Sequence, residues 1–162
     1  ALFLLILNHT LRILQRITSI KFQNSSMLTE IKKIKKEISC SPDSIVLVES
    51  IVDYVSSDLG LNDETTARLY VSLTEAAKNS IMFGVSDISN NFCIEVDYES
   101  TRISVLVKDN GPGFDFMSVP DPTLPENIEK TSGRGLFLIK HLTDELSFAN
   151  NGATIKMVFN LD

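Results

Sequence analysis

The chain has 162 residues, of which 43% are hydrophobic and 22% charged, and its formal net charge is −6. This composition is typical of a single soluble domain and excludes a disulfide-dense scaffold, because only Cys40 and Cys93 are present and they are far apart. The acidic balance argues against a direct nucleic-acid partner, which would require a basic face. We expect a cytoplasmic protein, since nothing in the cysteine pattern indicates an oxidising compartment.

Residues 1–26 differ in composition from the rest, since they contain three basic residues, no acidic residue and an apolar run over residues 2–7. That run is too short to span a bilayer, so we expect no membrane association. We interpret residues 1–26 as an extension, which is either foreign to the natural protein or an amphipathic helix, and residues 27–162 as the domain.

The first half of the domain predicts one strand and two helices. Residues 30–40 alternate isoleucines with lysines, as an edge strand does. Apolar residues then recur every three or four positions from Ile45 to Leu59, and Gly60 ends that run. A second helix is expected from the capping pair Asn62-Asp63 to Gly84.

The second half predicts two hairpins, a long loop and one more helix. Residues 92–99 and 102–109 alternate as strands around Ser100-Thr101, and residues 145–150 and 153–160 form a second such pair. Residues 110–134 are rich in Gly and Pro and predict a loop. The last helical stripe comprises Leu136, Ile139, Leu142 and Leu146.

Three short motifs carry chemistry. Glu75 and Asn79 are four residues apart and project from one helix face, where a carboxylate can act as a base and an amide oxygen as a hard metal ligand. Asp109 ends a strand and can accept a hydrogen bond from an amino group, beside Gly111 and Gly113, which let the backbone approach a flat ring.

The third motif opens the last helix. Gly133 and Gly135 leave amides uncovered at the positive end of the helix dipole, which suits phosphate oxygens. Each motif alone is a weak signal, since turns and helix starts use the same residues. Glu75 could instead form a surface ion pair with Lys78, although its spacing to Asn79 favours a functional role.

The order of the three motifs resembles that of the GHKL ATPase superfamily. EAAKNSIMFG and SGRGLFLIKHLTDEL are similar to the conserved boxes of the anti-sigma factor serine kinases, and the resemblance spans about residues 30–161. It implies an α+β Bergerat fold, which is a two-layer α/β sandwich with a mixed, mostly antiparallel sheet and helices on one face. It also implies an ATP-dependent protein serine/threonine kinase with ATP and Mg²⁺ as cofactors.

The resemblance assigns roles residue by residue. Glu75 would be the general base, Asn79 would hold Mg²⁺ and the nucleotide, and Asp109 would bind adenine. Gly111, Gly113, Gly133 and Gly135 would shape the pocket, with the amides from Arg134 to Leu136 on the phosphates. The implied partners are a sigma factor, a STAS-type anti-anti-sigma antagonist that carries the target serine, and a second copy in a homodimer.

Three positions depart from the family pattern. Phe83 stands where His is frequent, and Thr131 where Arg is frequent, so Lys130 and Arg134 are the candidate cations for the γ-phosphate. Gly152-Ala153-Thr154 replaces Gly-Thr-Thr, which leaves Thr154 as the remaining adenine-side hydroxyl. Two alternatives therefore stay open: a non-catalytic nucleotide switch, and the catalytic domain of a histidine kinase, for which His9 is the upstream histidine.

Overall fold

A computed structural model describes residues 30–84, 90–115, 119, 122 and 133–161. All the described elements fall within one compact unit, Ile31–Asp162. In chain order they are β1 (Lys32–Ser39), α1 (Ile45–Leu59), α2 (Asp63–Phe83), β2 (Asn91–Glu99), β3 (Arg102–Lys108), α3 (Arg134–Leu142), β4 (Glu145–Ala149) and β5 (Thr154–Asn160). The interpretation of residues 1–26, the candidate cation Lys130 and the departure at Thr131 lie outside the described residues.

The five strands form one sheet in the order β1-β2-β3-β5-β4, and all four pairings are antiparallel. Alternate residues of β2, β3 and β5 are buried on one face, where Ile103 lies opposite Tyr98 and Phe159. The buried side chains of this face and of the helices make one hydrophobic core, and each large one stabilises the fold by roughly 1.5–3 kcal/mol. The predicted α+β sandwich with helices on one face is confirmed.

The other face of the sheet is polar where β1 meets β2. Lys33 pairs with Asp97 and Lys35 with Glu95, each at 2.6 Å. These pairs follow from the register, since each lysine lies directly opposite its carboxylate. The predicted edge strand is therefore confirmed.

Helix α1 begins after a short 3₁₀ turn, Pro42–Ser44, and ends at Gly60. Gly60 adopts φ +63°, and its N–H bonds to the carbonyl oxygens of Ser56 and Ser57, which closes the helix. Val48, Val52 and Val55 recur on one side of α1 and are buried against the sheet. The predicted boundaries of this helix are confirmed.

Helix α2 is 21 residues long and begins where its cap predicts. The Asn62 side chain accepts a hydrogen bond from the Thr65 N–H at 2.8 Å, and Asp63 and Glu64 occupy the positive first turn. The predicted end at Gly84 is also confirmed. Because α2 is this long, it can present several functional side chains along one face.

One predicted assignment is wrong. Leu146 does not extend the last helical stripe, because α3 ends at Leu142 and Leu146 lies in β4, opposite Met157. The Thr143 hydroxyl donates to the Ile139 carbonyl at 2.8 Å and helps to end the helix there. Leu146 follows Leu142 by four residues and so fits the helical pattern, although its side chain packs against the same core from a strand.

No helix among the described residues is long and apolar enough to cross a membrane.

Candidate functional site

The C-terminal half of α2 carries the predicted base and metal ligand. Glu75 is about one quarter exposed, and its Oε1 accepts a hydrogen bond from Lys78 Nζ at 2.8 Å. Asn79 follows one turn later and is half-buried. Its side chain makes no hydrogen bond within the part of the chain that the structure describes, which leaves its amide oxygen available to a ligand.

Gly135 lies directly against Glu75. A Cβ added at Gly135 would stand 2.6 Å from Glu75 Oε2, closer than atoms approach. A side chain at position 135 would therefore have to displace the Glu75 carboxylate from its present position. The structure thus brings together two of the three predicted motifs, which are distant in sequence.

The start of α3 has the geometry expected of an anion site. Gly133 is its N-terminal cap, with φ +87°, and the Gly133 carbonyl accepts the first helical bond from the Phe137 N–H at 3.0 Å. The amides of Gly135 and Leu136 have no partner within the helix, as at any helix start. Arg134 is exposed and Leu136 half-buried. First-turn amides at a helix N-terminus suit the binding of phosphate oxygens.

Asp109 is held by groups on both of its oxygens. Ser80 Oγ donates to Oδ2 at 3.1 Å, and the Gly111 N–H donates to Oδ1 at 2.9 Å. Gly84 packs against the same carboxylate, since a Cβ there would lie 2.6 Å from Asp109 Cβ. The carboxylate that we expect to accept the adenine amino group is therefore fixed in orientation before any ligand arrives.

Ser80 holds the Asp109 carboxylate, although the sequence analysis assigned it no role at the site. Its side chain is buried, at 2% exposure. A signal was available, because a buried hydroxyl requires a partner and Ser80 directly follows Asn79 in the helix.

Cys40 is a neighbour of the same cluster. Its Sγ lies 3.5 Å from the Ser80 carbonyl oxygen. Burial, together with the charge of Asp109, raises the pKa of the Cys40 thiol. The thiol is therefore kept neutral and unreactive at the edge of the site.

Gly113 adopts φ +73° and approaches the turn between β4 and β5. A Cβ there would lie 2.0 Å from the Asn151 carbonyl oxygen, and the following Phe114 N–H donates to that oxygen at 2.8 Å. Gly152, with φ +89°, makes the reciprocal approach to Phe114. The chain leaving β3 is thereby fastened to the β4–β5 turn, next to Asp109.

The turn before β5 contacts Asp109 through its backbone. The Asp109 N–H donates to the Ala153 carbonyl at 3.0 Å, so the backbones of these two residues are adjacent. Thr154 is the first residue of β5, and its hydroxyl accepts from Asn150 Nδ2 at 3.0 Å. A nucleotide contact from Thr154 stays a prediction.

Within the described ranges, no three His, Cys, Asp or Glu side chains come together, so no cluster of that kind is available to bind a metal ion. The amide oxygen of Asn79 is the available hard donor next to Glu75. This donor type fits a Mg²⁺ ion that takes its other ligands from phosphates and water.

Comparison with known proteins agrees with this geometry. The family model described as the histidine kinase-like ATPase domain matches residues 38–159. The serine-protein kinases RsbW of Bacillus cereus (strain AH820) and Bacillus thuringiensis (strain Al Hakam) are each 22% identical over 138 residues, which is 81% of this chain and 86% of theirs.

The solved structure of the RsbU and RsbW domains of Rv1364c from Mycobacterium tuberculosis is similar in fold. It superposes with a TM-score of 0.56 at 11% identity and covers 80% of this chain. The match takes up 32% of the Mycobacterium tuberculosis chain, so the present chain spans about a third of that protein's length.

Proposed function

Because the chain belongs to the family of histidine kinase-like ATPase domains, we propose that it is an ATP-dependent protein serine kinase. Its substrate would be a serine of an anti-anti-sigma antagonist, and its second partner a sigma factor that it sequesters. The observation that carries this proposal is the contact between Gly135 and Glu75, which sets a carboxylate beside the first turn of α3. A protein kinase needs such a base within reach of the γ-phosphate.

Nucleotide recognition would begin at Asp109. Its carboxylate is oriented by Ser80 and by the Gly111 amide, and it would accept a hydrogen bond from the adenine amino group. A hydrogen bond to a charged group contributes about 1.5–3 kcal/mol. Gly84 and Gly111 let the backbone pack closely around this carboxylate, since a Cβ at Gly84 would meet Asp109 and a Cβ at Gly111 would meet the Phe83 carbonyl oxygen.

The phosphates would lie between α2 and α3. The first-turn amides from Arg134 to Leu136 would donate to phosphate oxygens, and Asn79 would hold Mg²⁺ through its amide oxygen. When bound, Mg²⁺ would neutralise the charge of the phosphate oxygens. Arg134 and Lys130 remain the proposed cations for the γ-phosphate.

Glu75 would act as the general base. As the serine oxygen of the antagonist forms a bond to the γ-phosphorus, the bond to the ADP oxygen breaks and the serine proton passes to the Glu75 carboxylate. Lys78 occupies Oε1, so Oε2, the oxygen that faces Gly135, is the one we assign to the proton.

Partner binding would use α1 and β1. A groove of about 660 Å³ lies between them and is lined by residues that include Ile34, Leu47 and Tyr54. Leu47 and Tyr54 are more than half exposed, and we propose that a second copy of the chain covers them in a homodimer.

The acidic residues of α1 would steer the sigma factor. Two of the three are engaged within the domain, since Glu49 accepts from the Tyr70 hydroxyl at 2.7 Å and Asp58 pairs with Lys32 at 2.6 Å. Asp53 would therefore be the main contributor to attraction of a basic partner.

The proposed function is tested by incubating the protein with Mg²⁺, labelled ATP and candidate antagonist proteins encoded near it. We expect phosphate transfer to a serine of one antagonist. Glu75→Gln should slow the transfer by roughly 10²–10⁴ while ATP still binds. Asp109→Asn should weaken ATP binding by about 1.5–3 kcal/mol. Wild-type protein that binds no nucleotide in calorimetric titration would refute the proposal.

A non-catalytic nucleotide switch is the second candidate, and the alanine at position 153 beside Asp109 favours it. The family pattern has a threonine at this position, and without its hydroxyl a contact that would help to bind the nucleotide is missing. In this case ATP and ADP would change partner affinity, and Glu75→Gln would leave partner exchange unaltered because no proton is transferred.

A further inference from the structure

Arg68 connects α2 to the far end of α3. Its Nε donates to the carbonyl oxygen of Leu142, the last residue of α3, at 3.0 Å. Its Nη2 donates to Asp144 Oδ2 at 3.1 Å. The guanidinium also lies 5.9 Å from the ring centre of Phe159. A cation at the C-terminal carbonyls of a helix is favourable because it complements the helix dipole.

The turn that Arg68 contacts is itself hydrogen-bonded to the sheet. The Asp144 N–H donates to the Val158 carbonyl at 2.9 Å, and the Asn160 N–H donates to Asp144 Oδ2 at 2.7 Å. Arg68 therefore binds a fixed point, and the contact holds α3 rather than a mobile tail.

Two contacts, one near each end of α3, join it to α2. Glu75 meets Gly135 at one end, and Arg68 meets Leu142 at the other. Arg68 and Glu75 are seven residues apart along α2, and Gly135 and Leu142 are seven residues apart along α3. Seven residues of helix are about 10.5 Å long. The equal spacing means that the two helices run antiparallel in a single register, set jointly by these contacts.

We propose that Arg68 is a positioning residue: by holding the C-terminal end of α3, it fixes where Gly133–Leu136 lie relative to Glu75. The inference rests on the proposed function, since it takes the α3 amides as the phosphate site and Glu75 as the base. A shift of α3 along its axis would move the phosphate groups away from Glu75 while leaving Asp109 and the adenine end of the pocket in place.

The adenine and phosphate ends can be separated by two ligands. We would measure the Kd of adenosine, which reports on the Asp109 end, and of MgATP, which reports on both ends, for wild type, Arg68→Gln and Arg68→Lys. Arg102→Gln is the matched control, because Arg102 pairs at 3.1 Å with Glu145, next to Asp144, without contacting α3. Hydrogen exchange of the Phe137 amide, which bonds to the Gly133 carbonyl at the start of α3, and the rate of phosphate transfer complete the set.

We expect Arg68→Gln to weaken MgATP binding and to slow transfer, each by about tenfold, with adenosine affinity unchanged. Exchange at the Phe137 amide should accelerate, because its hydrogen bond to the Gly133 carbonyl breaks more often when the helix is held less firmly. Arg68→Lys should recover part of the loss, since an ammonium can still reach Asp144, and Arg102→Gln should behave as wild type. If Arg68→Gln does not fold, the same comparison is made with Arg68→Lys and Asp144→Asn.

Equal losses for adenosine and MgATP, or a lower melting temperature with an unchanged ratio of the two affinities, would overturn the inference and leave Arg68 with a purely structural role. Wild-type protein that binds neither ligand would instead refute the proposed function.

Discussion

The Ser80 hydroxyl donates to Asp109 Oδ2 across 3.1 Å, from the last turn of α2 to the residue that follows β3. The Gly111 amide occupies the other oxygen of the same carboxylate at 2.9 Å. Asp109 is therefore oriented by one side chain and one backbone group, of which only the first can be removed by substitution.

Ser80→Ala should weaken adenosine binding by about tenfold, because the loss of one hydrogen bond to a charged group lets the Asp109 carboxylate rotate. Calorimetric titration measures the effect. Ser50→Ala is the matched control, since Ser50 also spends its hydroxyl on a hydrogen bond, to Val46 O at 2.8 Å, but on the exposed side of α1. If adenosine binds both variants equally, Ser80 does not orient Asp109.

Gly135→Ala should leave the fold stable and impair catalysis. The new Cβ would meet Glu75 Oε2 at 2.6 Å, and the flexible carboxylate would move aside at little cost. Alanine is also favoured over glycine in a helix by roughly 0.5–1 kcal/mol. We expect an unchanged or higher melting temperature together with phosphate transfer reduced by about tenfold or more.

Gly60→Ala is the control for that experiment, because it should lower stability and leave phosphate transfer unchanged. Its Cβ would meet no atom within 4 Å, but its φ of +63° strains any L residue. Stability should fall by roughly 1–2 kcal/mol, with transfer unaffected at a temperature where the variant is folded. A Gly135→Ala enzyme as active as wild type would show that Glu75 tolerates displacement and is not the base.

Ala153→Thr should strengthen nucleotide binding. Ala153 is buried beside Asp109, and a hydroxyl there could add a hydrogen bond of about 0.5–1.5 kcal/mol to the adenine end. Ala149→Thr adds the same group at an exposed position of β4 and should have no effect. Equal MgATP affinity in both variants would mean that position 153 does not face the nucleotide.

The Tyr98 phenol should ionise at a higher pH than an ordinary tyrosine does. Burial first, and then its hydrogen bond to Asp58, raises the pKa of Tyr98 from 10.0 to about 12. Between these values the unfolded chain loses the phenol proton and the native protein keeps it, so the stability contributed by Tyr98 is complete below pH 10 and is lost as the pH rises to about 12.

Phenolate absorbance of wild type and Tyr98→Phe, followed from neutral to alkaline pH, tests this. The variant should lack the last ionisation step, and its free energy of unfolding should fall less steeply above pH 10. A wild-type protein in which all tyrosines ionise together, before it unfolds, would contradict the prediction.

Local signals in the sequence predicted most of the fold. Asn62 and Gly60 have the residue types that begin and end helices, and the alternation over β2 and β3 reflects a sheet with one buried face. The prediction that Leu146 belongs to the last helix was wrong, because a residue four positions after a helical leucine can also lie on the core side of the next strand.

The candidate site was less predictable, because its decisive contacts join residues distant in sequence. No spacing rule indicates that Gly135 touches Glu75, or that Arg68 reaches Leu142. Whether Ala153 or Thr154 faces the nucleotide depends on strand register, where a shift of one residue reverses the face.

The position of β5 in the sheet has a consequence for biosynthesis. It is the last described strand along the chain, yet it lies between β3 and β4 and supplies Met157 and Phe159 to the core. While the ribosome is still making residues 133–160, β3 has no neighbour on one side, and the apolar faces of α1 and α2 lack part of their cover. At about 5–20 residues per second, this incomplete state lasts for a second or more on every nascent chain, and a chaperone that binds exposed apolar surface has that interval in which to act.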